Sequence, residues 1–323
     1  MGDLPEGSSG ALPPSGRQFP ISNGAWRAVI TEVGGGLRVF DGDGEPVAWG
    51  YSADAMVSGG RGQVLAPWPN RLEDGSYEWR GVSAHVPLDE PDRHNAIHGL
   101  VRWLCWDLVE HTEARAALSC ELAPQPAYPW RLRLEVTYEL DDGGLVVAAA
   151  AENRSDTAAP FGMGFHPYLD AGDGGADACK LTLHAGRRLL LDGRGLPRGS
   201  EPVGATTYDF SAGRNLAGVR LDDCFTDLAA ADGPIAPGPP GSGAAWQAVL
   251  ARGDGRRTAL WADDAWPFVM CYTGDTLAAG ERRRAVAVEP MTCPPNAFVS
   301  GESVTVLGAG ERWSGRFGIR RLD

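Results

Sequence analysis

The chain has 323 residues, 43% of them hydrophobic, and a formal net charge of −13. That supplies ample apolar material for a large core. The acidic balance repels nucleic-acid phosphate and anionic membrane, which excludes both as expected partners. No run of about 18 apolar residues occurs, so no membrane-spanning helix is expected.

In chain order, residues 1–18 are rich in Gly, Ser and Pro and read as a disordered tail. They lack the basic start and apolar stretch of a secretory signal. Residues 19–323 read as one domain. Strands are expected at 25–32, 76–80 and 116–122. In RLRLEVTYEL (131–140), Leu132, Leu134, Val136, Tyr138 and Leu140 alternate with polar residues, as in a half-buried antiparallel strand. LVVAAAAEN (145–153) is its hairpin partner across the DDGG turn. Further strands are expected at 181–184, 246–251, 257–262, 267–272, 284–289, 303–307 and 312–319. ADGPIAPGPPGSG (231–243) reads as a flexible loop between strands. No helical stripe exceeds one or two turns, and 24 prolines with 44 glycines disfavour long helices. Many short strands with frequent glycine turns predict an all-β sandwich or barrel. The six cysteines form no CxxC pair, consistent with reduced thiols in the cytoplasm. The tryptophans are expected in the core, with one or two free to stack on a sugar face.

Chemistry-capable residues gather in APWPNRLEDGSYEW (66–79), NAIHGLVRWLCWDL (95–108), FGMGFHPYLD (161–170) and AVAVEPMTCPPNAF (285–298), with LDDCFTDL (221–228) as a weaker fifth. In AVAVEP, Ala285, Ala287 and Glu289 share one strand face, and Pro290 is expected to stop the ladder. A carboxylate at the end of a buried strand is either salt-bridged or a general base with a raised pKa. Pro167 keeps His166 extended and breaks sheet pairing after it. His166 is then either a core histidine or a group aimed into a cleft. His98, before Gly99, carries the same two readings, and Asn70-Arg71 follows a rigid Pro-Trp-Pro. His94 and His98 stand four apart, but Pro91 and Gly99 disfavour the helix that would let them share a metal.

Taken together, these stretches resemble the aldose 1-epimerase (galactose mutarotase) family over roughly residues 20–320. They keep its order: NR with a G-x-Y hairpin, HG with a downstream Trp, H-x-Y, D-x-x-F, then Glu near PPNAF. The resemblance implies a large antiparallel β-sandwich with a sugar cleft and no metal or organic cofactor. It implies Glu289 as general base, His166 as general acid, and Arg71, His98 and Asp222 as substrate-binding residues, with Asn70 supporting Arg71 or touching a hydroxyl. Asp222 is preferred to Asp223 because the family's aspartate stands three before the aromatic, here Phe225. GFHPYL departs from the Asn-His-(Ser/Thr)-Tyr-Phe pattern of galactose mutarotases, as in a divergent bacterial branch, and leaves the sugar open.

The implied reaction is anomer interconversion of a free hexose. It needs one base and one acid, expected on opposite sides of C1, and a nearby carboxylate is expected to keep His166 protonated. An anionic sugar, a hexose 6-phosphate or sulfosugar, is the alternative, with Arg102, Arg187, Arg188 and Arg282-Arg283-Arg284 as candidate anion ligands. A non-catalytic sugar-binding module is the third reading. The expected partner is a small sugar, with the chain acting as monomer or homodimer.

Overall fold

A computed structural model describes residues 12–230 and 243–322. The expected loop at 231–243 and the first eleven residues of the expected tail lie outside the described residues, apart from Gly243. The rest of that tail is packed: Ser15 is buried and its carbonyl accepts the Val33 N–H at 3.0 Å, so ordered chain begins before residue 19.

The described residues are built almost entirely of antiparallel strands, with a four-residue α-helix at Ala297–Ser300. Twelve strands form one sheet. Its main path runs Gln18–Asn23, Trp26–Thr31, Leu37–Gly42, Glu45–Ala48, Tyr168–Asp170, Ala285–Met291, Phe268–Tyr272, Asp222–Leu228, Ala185–Leu191 and Pro197–Pro202. Nine strands form the second, including the predicted hairpin of Leu132–Asp141 with Gly144–Asn153, in continuous register from Leu132↔Asn153 to Asp141↔Gly144. The alternating residues of the first hairpin strand are all buried, as their spacing requires. Apolar faces of both sheets meet in one continuous core. Each large side chain placed there contributes about 1.5–3 kcal/mol by leaving water. Buried Tyr138 donates its hydroxyl to the Gly35 carbonyl at 2.7 Å, tying the second sheet to a loop of the first.

Two strand faces position the site. Phe165 packs against Phe317 and Trp266 in the core, so His166, one residue on, faces the other way. His166 and Pro167 lie between the Gly164–Phe165 and Tyr168–Asp170 strands, yet the expected break in pairing is only partial: His166 exchanges backbone bonds with Gln63 and Gly62, and the Pro167 carbonyl accepts the Val288 N–H at 3.1 Å. In Ala285–Met291, Val286 and Val288 enter the core, while Ala285 and Ala287 pack with Tyr168 and Tyr272 on the opposite face that Glu289 shares. Contrary to expectation, Pro290 does not stop this ladder. A proline removes one donor only, and Met291 continues the pairing with Gly164 and Phe268.

Candidate active site

All six residues singled out from the sequence, Asn70, Arg71, His98, His166, Asp222 and Glu289, line one cleft of about 230 Å³. Glu289 and His166 are almost wholly buried at its base, with Glu289 Oε1 3.4 Å from His166 Nε2. The expected separation across a carbon is therefore not what the fold builds: the two groups stand side by side. The second carboxylate oxygen, Oε2, is buried and has no hydrogen-bond partner among the described residues, and the same holds for His166 Nδ1.

Burial dominates the protonation of this pair. It pushes His166 down to about 3 and Glu289 well above the ordinary carboxylate range, with the Asp222 carboxylate adding to the rise and Arg71 opposing it. The expectation that a neighbouring carboxylate would keep His166 protonated is overturned. Two charges at this depth each lose several kcal/mol of hydration, so both groups favour their neutral forms and the shared proton sits on Glu289.

The imidazole is held on two sides. Its ring stacks on Tyr168 at 4.9 Å between centroids, and the Tyr168 hydroxyl donates to the Gly59 carbonyl at 2.8 Å. Gly60, at φ +69°, presses against the ring: a Cβ there would lie 2.6 Å from His166 Cδ2. The Gly59-Gly60 turn is itself clasped by buried Arg61, which donates to Ser58 Oγ and to Glu281 Oε1, both at 2.5 Å, and lies 3.7 Å from the Trp49 ring centroid. Glu281 belongs to the 274–284 segment, whose Thr276 and Leu277 also line the cleft.

His98 sits at φ +65° and crosses His166 edge to face at 5.3 Å. Its Nδ1 accepts the Asn70 N–H at 3.2 Å, and burial drives its pKa well below the ordinary imidazole value. The neutral ring therefore carries its proton on Nε2. Asn70, also at positive φ, accepts the Arg71 N–H on its side-chain oxygen at 2.9 Å and the His98 N–H on its carbonyl at 2.8 Å. These bonds shape the turn between Arg71 and His98.

Arg71 is buried and forks onto Glu90 through Nε at 2.9 Å and Nη2 at 3.1 Å, with Asp222 Oδ2 at 3.6 Å. Asp222 and Asp223 part as adjacent strand residues must. Asp222 lines the cleft, whereas Asp223 pairs with Arg188 at 2.8 Å. Of the arginines weighed for an anionic group, Arg102 lines the cleft. Arg187 binds Ser200, Arg188 binds Glu201 and Asp223, Arg282 binds the Leu277 carbonyl, and Arg283 binds Asp177 and Asp275. His94 lies away from His98, half of an exposed pair with Asp74.

The lining residues that sequence reasoning passed over are Gly59, Gly60, Ile97, Tyr168, Tyr272, Thr276 and Leu277. Tyr272 ends the expected 267–272 strand, with Thr276 and Leu277 just beyond it, and H-x-Y contained Tyr168 without a role for it. No tryptophan lines the cleft, and the aromatic surfaces there are tyrosines. Among the described residues no helix is long and apolar enough to cross a membrane.

A two-sheet antiparallel sandwich with such a polar cleft on one sheet defines the galactose mutarotase-like class of protein. The chain belongs to the aldose 1-epimerase family, whose model matches residues 17–320. It is 30% identical over 302 residues to the uncharacterized protein YihR of Escherichia coli K12, covering 92% of this chain and 91% of that one. It is 31% identical over 158 residues to galactose mutarotase of Rattus norvegicus, which spans 46% of this chain and 44% of the relative. Among solved structures, a galactose mutarotase-like protein from Clostridium acetobutylicum matches with a TM-score of 0.80 at 17% identity, covering 94% of each chain. Galactose 1-epimerase from Lactobacillus acidophilus NCFM matches with a TM-score of 0.75 at 20% identity, covering 94% of this chain and 93% of that one.

Proposed function

We propose that the chain interconverts the α and β anomers of a free hexose, with Glu289 as base and His166 as acid. The single observation that carries this is the buried contact of Glu289 with His166 at the base of a polar cleft. Ring opening breaks the bond from C1 to the ring oxygen and makes a carbonyl of C1 and O1. The base takes the O1 proton, and the acid protonates the ring oxygen. Both oxygens are bonded to C1, so they lie closer together than a hydrogen bond is long. A base and an acid side by side can therefore each reach one of them. Rotation about C1–C2 and reversal of the proton transfers close the ring on the other face.

The pair holds one proton throughout. Opening starts from carboxylate and imidazolium and leaves carboxylic acid and neutral imidazole, the form that burial favours. Sugar hydroxyls donating to the unpartnered Oε2 of Glu289 stabilise the starting ion pair. His98 Nε2–H and Arg71 supply donors to the ring hydroxyls, and Asp222 supplies an acceptor.

The test is equilibration of freshly dissolved α-glucose, α-galactose and a panel of other aldoses, followed by polarimetry or exchange NMR. Acceleration of at least one supports the reading. Binding without acceleration of any aldose makes the chain a sugar-binding module, and neither binding nor acceleration refutes the proposal. A second reading, an anionic aldose such as a hexose 6-phosphate, is favoured by Arg102, which lines the cleft with its Nε unpartnered, although its Nη2 is paired with Asp89. Strong preference for the anionic over the free sugar selects it.

A further inference from the structure

We infer that Glu90 is a positioning residue: it holds Arg71 from outside the cleft and so keeps both Arg71 and Asp222 free for the sugar. This rests on the reading of the cleft as an aldose site.

Arg71 is a buried cation with two carboxylates in reach. A buried guanidinium without a counter-charge is costly, so it closes on whichever carboxylate it can. Asp222 stands in the cleft with Oδ2 3.6 Å from Arg71 Nη2, too far for a hydrogen bond. Glu90 is not among the residues that line the cleft, and it takes the guanidinium along one edge. Nε donates to Oε2 at 2.9 Å and Nη2 to Oε1 at 3.1 Å. A two-point fork fixes the plane of the guanidinium as well as its charge. Without it, a shift of less than about 1 Å would bring Arg71 into hydrogen-bond range of Asp222. The two sugar-binding groups would then satisfy each other. Arg93 reaches both carboxylates only at long range, 3.8 Å to Glu90 and 3.5 Å to Asp222, and so cannot replace the fork.

The surroundings of Glu90 resist that collapse. Its Oε2 accepts Asn95 Nδ2 at 3.1 Å, and wholly buried Asn95 also donates to the Arg194 carbonyl at 3.0 Å. The Glu90 N–H donates to the Asn95 carbonyl at 3.0 Å, and the Glu90 carbonyl accepts the Asn95 N–H at 3.2 Å. The turn at 192–196 closes over Arg71. A Cβ on Gly195, at φ +75°, would lie 2.6, 2.8 and 2.9 Å from Nη1, Cζ and Nε of Arg71, so the glycine lies on the flat face of the guanidinium. Arg194 bolts this turn down through Nη2, 2.6 Å from the His94 carbonyl and 2.7 Å from Asp74. The fork and the glycine leave over Nη1, buried and without a partner among the described residues. It is the donor left for a sugar hydroxyl, with the Asp222 carboxylate as an acceptor nearby.

The experiment measures KM and kcat by exchange NMR on the best aldose for wild-type protein, Glu90→Gln, Glu90→Asp, Arg71→Gln and the double variant of Glu90→Gln with Arg71→Gln. Glutamine keeps the shape of Glu90 and gives up its charge, so Arg71 closes on Asp222 and two sugar-binding groups are lost at once. KM is expected to rise about 100-fold, with kcat within about threefold of wild type. Arg71→Gln removes one group and is expected to raise KM about tenfold. The double variant leaves Asp222 free, so its KM should match that of Arg71→Gln and lie below that of Glu90→Gln. A residue that merely supports the fold cannot give that rescue. A double variant with a higher KM than Glu90→Gln overturns the proposal. So does a Glu90→Gln KM within about twofold of wild type, or a kcat loss as large as the KM rise. Glu90→Asp keeps the charge on a shorter arm, and its KM is expected between those of wild type and Glu90→Gln; a KM above that of Glu90→Gln overturns the proposal. If no aldose is turned over, the aldose reading itself has failed, and a crystal structure of Glu90→Gln decides the role of Glu90. Arg71 within about 3 Å of Asp222 supports it, and an unmoved Arg71 overturns it.

Discussion

Gly60→Ala tests how tightly the Gly59-Gly60 turn fixes the acid. The added carbon would stand 2.6 Å from His166 Cδ2 and 3.1 Å from Nε2. Carbon atoms pack at about 3.5–4.0 Å, so the imidazole or the turn must yield by about 1 Å. Tyr168 blocks one escape by stacking on the ring, and the Arg61 clasp resists movement of the turn. A misplacement of about 1 Å costs about 100-fold in rate, or about 2.7 kcal/mol in the barrier. Alanine at φ +69° adds about 1–2 kcal/mol of backbone strain to stability. The assay is exchange NMR on the best aldose, with thermal unfolding in parallel. A kcat within threefold of wild type in a folded variant would refute the reasoning, because it would mean the ring is free to move without consequence.

Glu289→Gln and His166→Asn are each expected to lose about 10²–10⁴-fold in kcat while still unfolding cooperatively; a variant retaining most activity would remove that residue from the chemistry. Acidification gives a stability signature. His166 and His98 both have folded pKa values below the unfolded value, so the stability His166 contributes is present above about 6.5 and is lost as pH falls towards about 3, with His98 acting in the same direction, whereas Glu289, raised by burial, acts in the opposite sense as pH climbs above the ordinary carboxylate range. His166 contributes a slope of about 1.4 kcal/mol per pH unit in that window, and His166→Asn should remove that slope in denaturant titrations. The acid limb of kcat/KM should likewise fall well below the ordinary imidazole pKa, and a limb near 6.5 would contradict the burial argument. Arg61→Ala should lower kcat more than it raises KM, since its guanidinium acts through the turn on His166, and Arg61→Lys should rescue only part because one ammonium cannot span Gly50, Ser58 and Glu281 together.

The elements legible in the sequence are those whose side chains alternate over enough residues to declare a face. Leu132–Asp141 and Trp246–Ala251 are examples, with ends within a residue or two of expectation. The strands that escaped notice are of other kinds. Pro197–Pro202 contains glycine and two prolines and reads as turn, but it sits at the edge of its sheet, where a missing donor costs little. The six site residues were readable because each stands next to a proline, a glycine or a strand end. What escaped was how they meet. Gly60 belongs to a turn signal with nothing local to say that an imidazole lies against it. The protonation of His166 was misjudged because a neighbouring carboxylate is visible in sequence order, whereas the depth at which both are buried is a property of the assembled sheets.

The hydrogen bond from the Asn70 N–H to His98 has a directional consequence. With Nδ1 occupied as acceptor, His98 can only give a hydrogen bond to whatever meets its Nε2. Asp222, when ionised, can only receive one. A hydroxyl touching the first must therefore point its own proton onward, and a hydroxyl touching the second must point its proton inward. The two residues impose a sense of circulation on the hydroxyl protons of any bound ring. A deoxy or fluoro sugar interrupts that circulation, and the loss should depend on which side of the gap the donor stands.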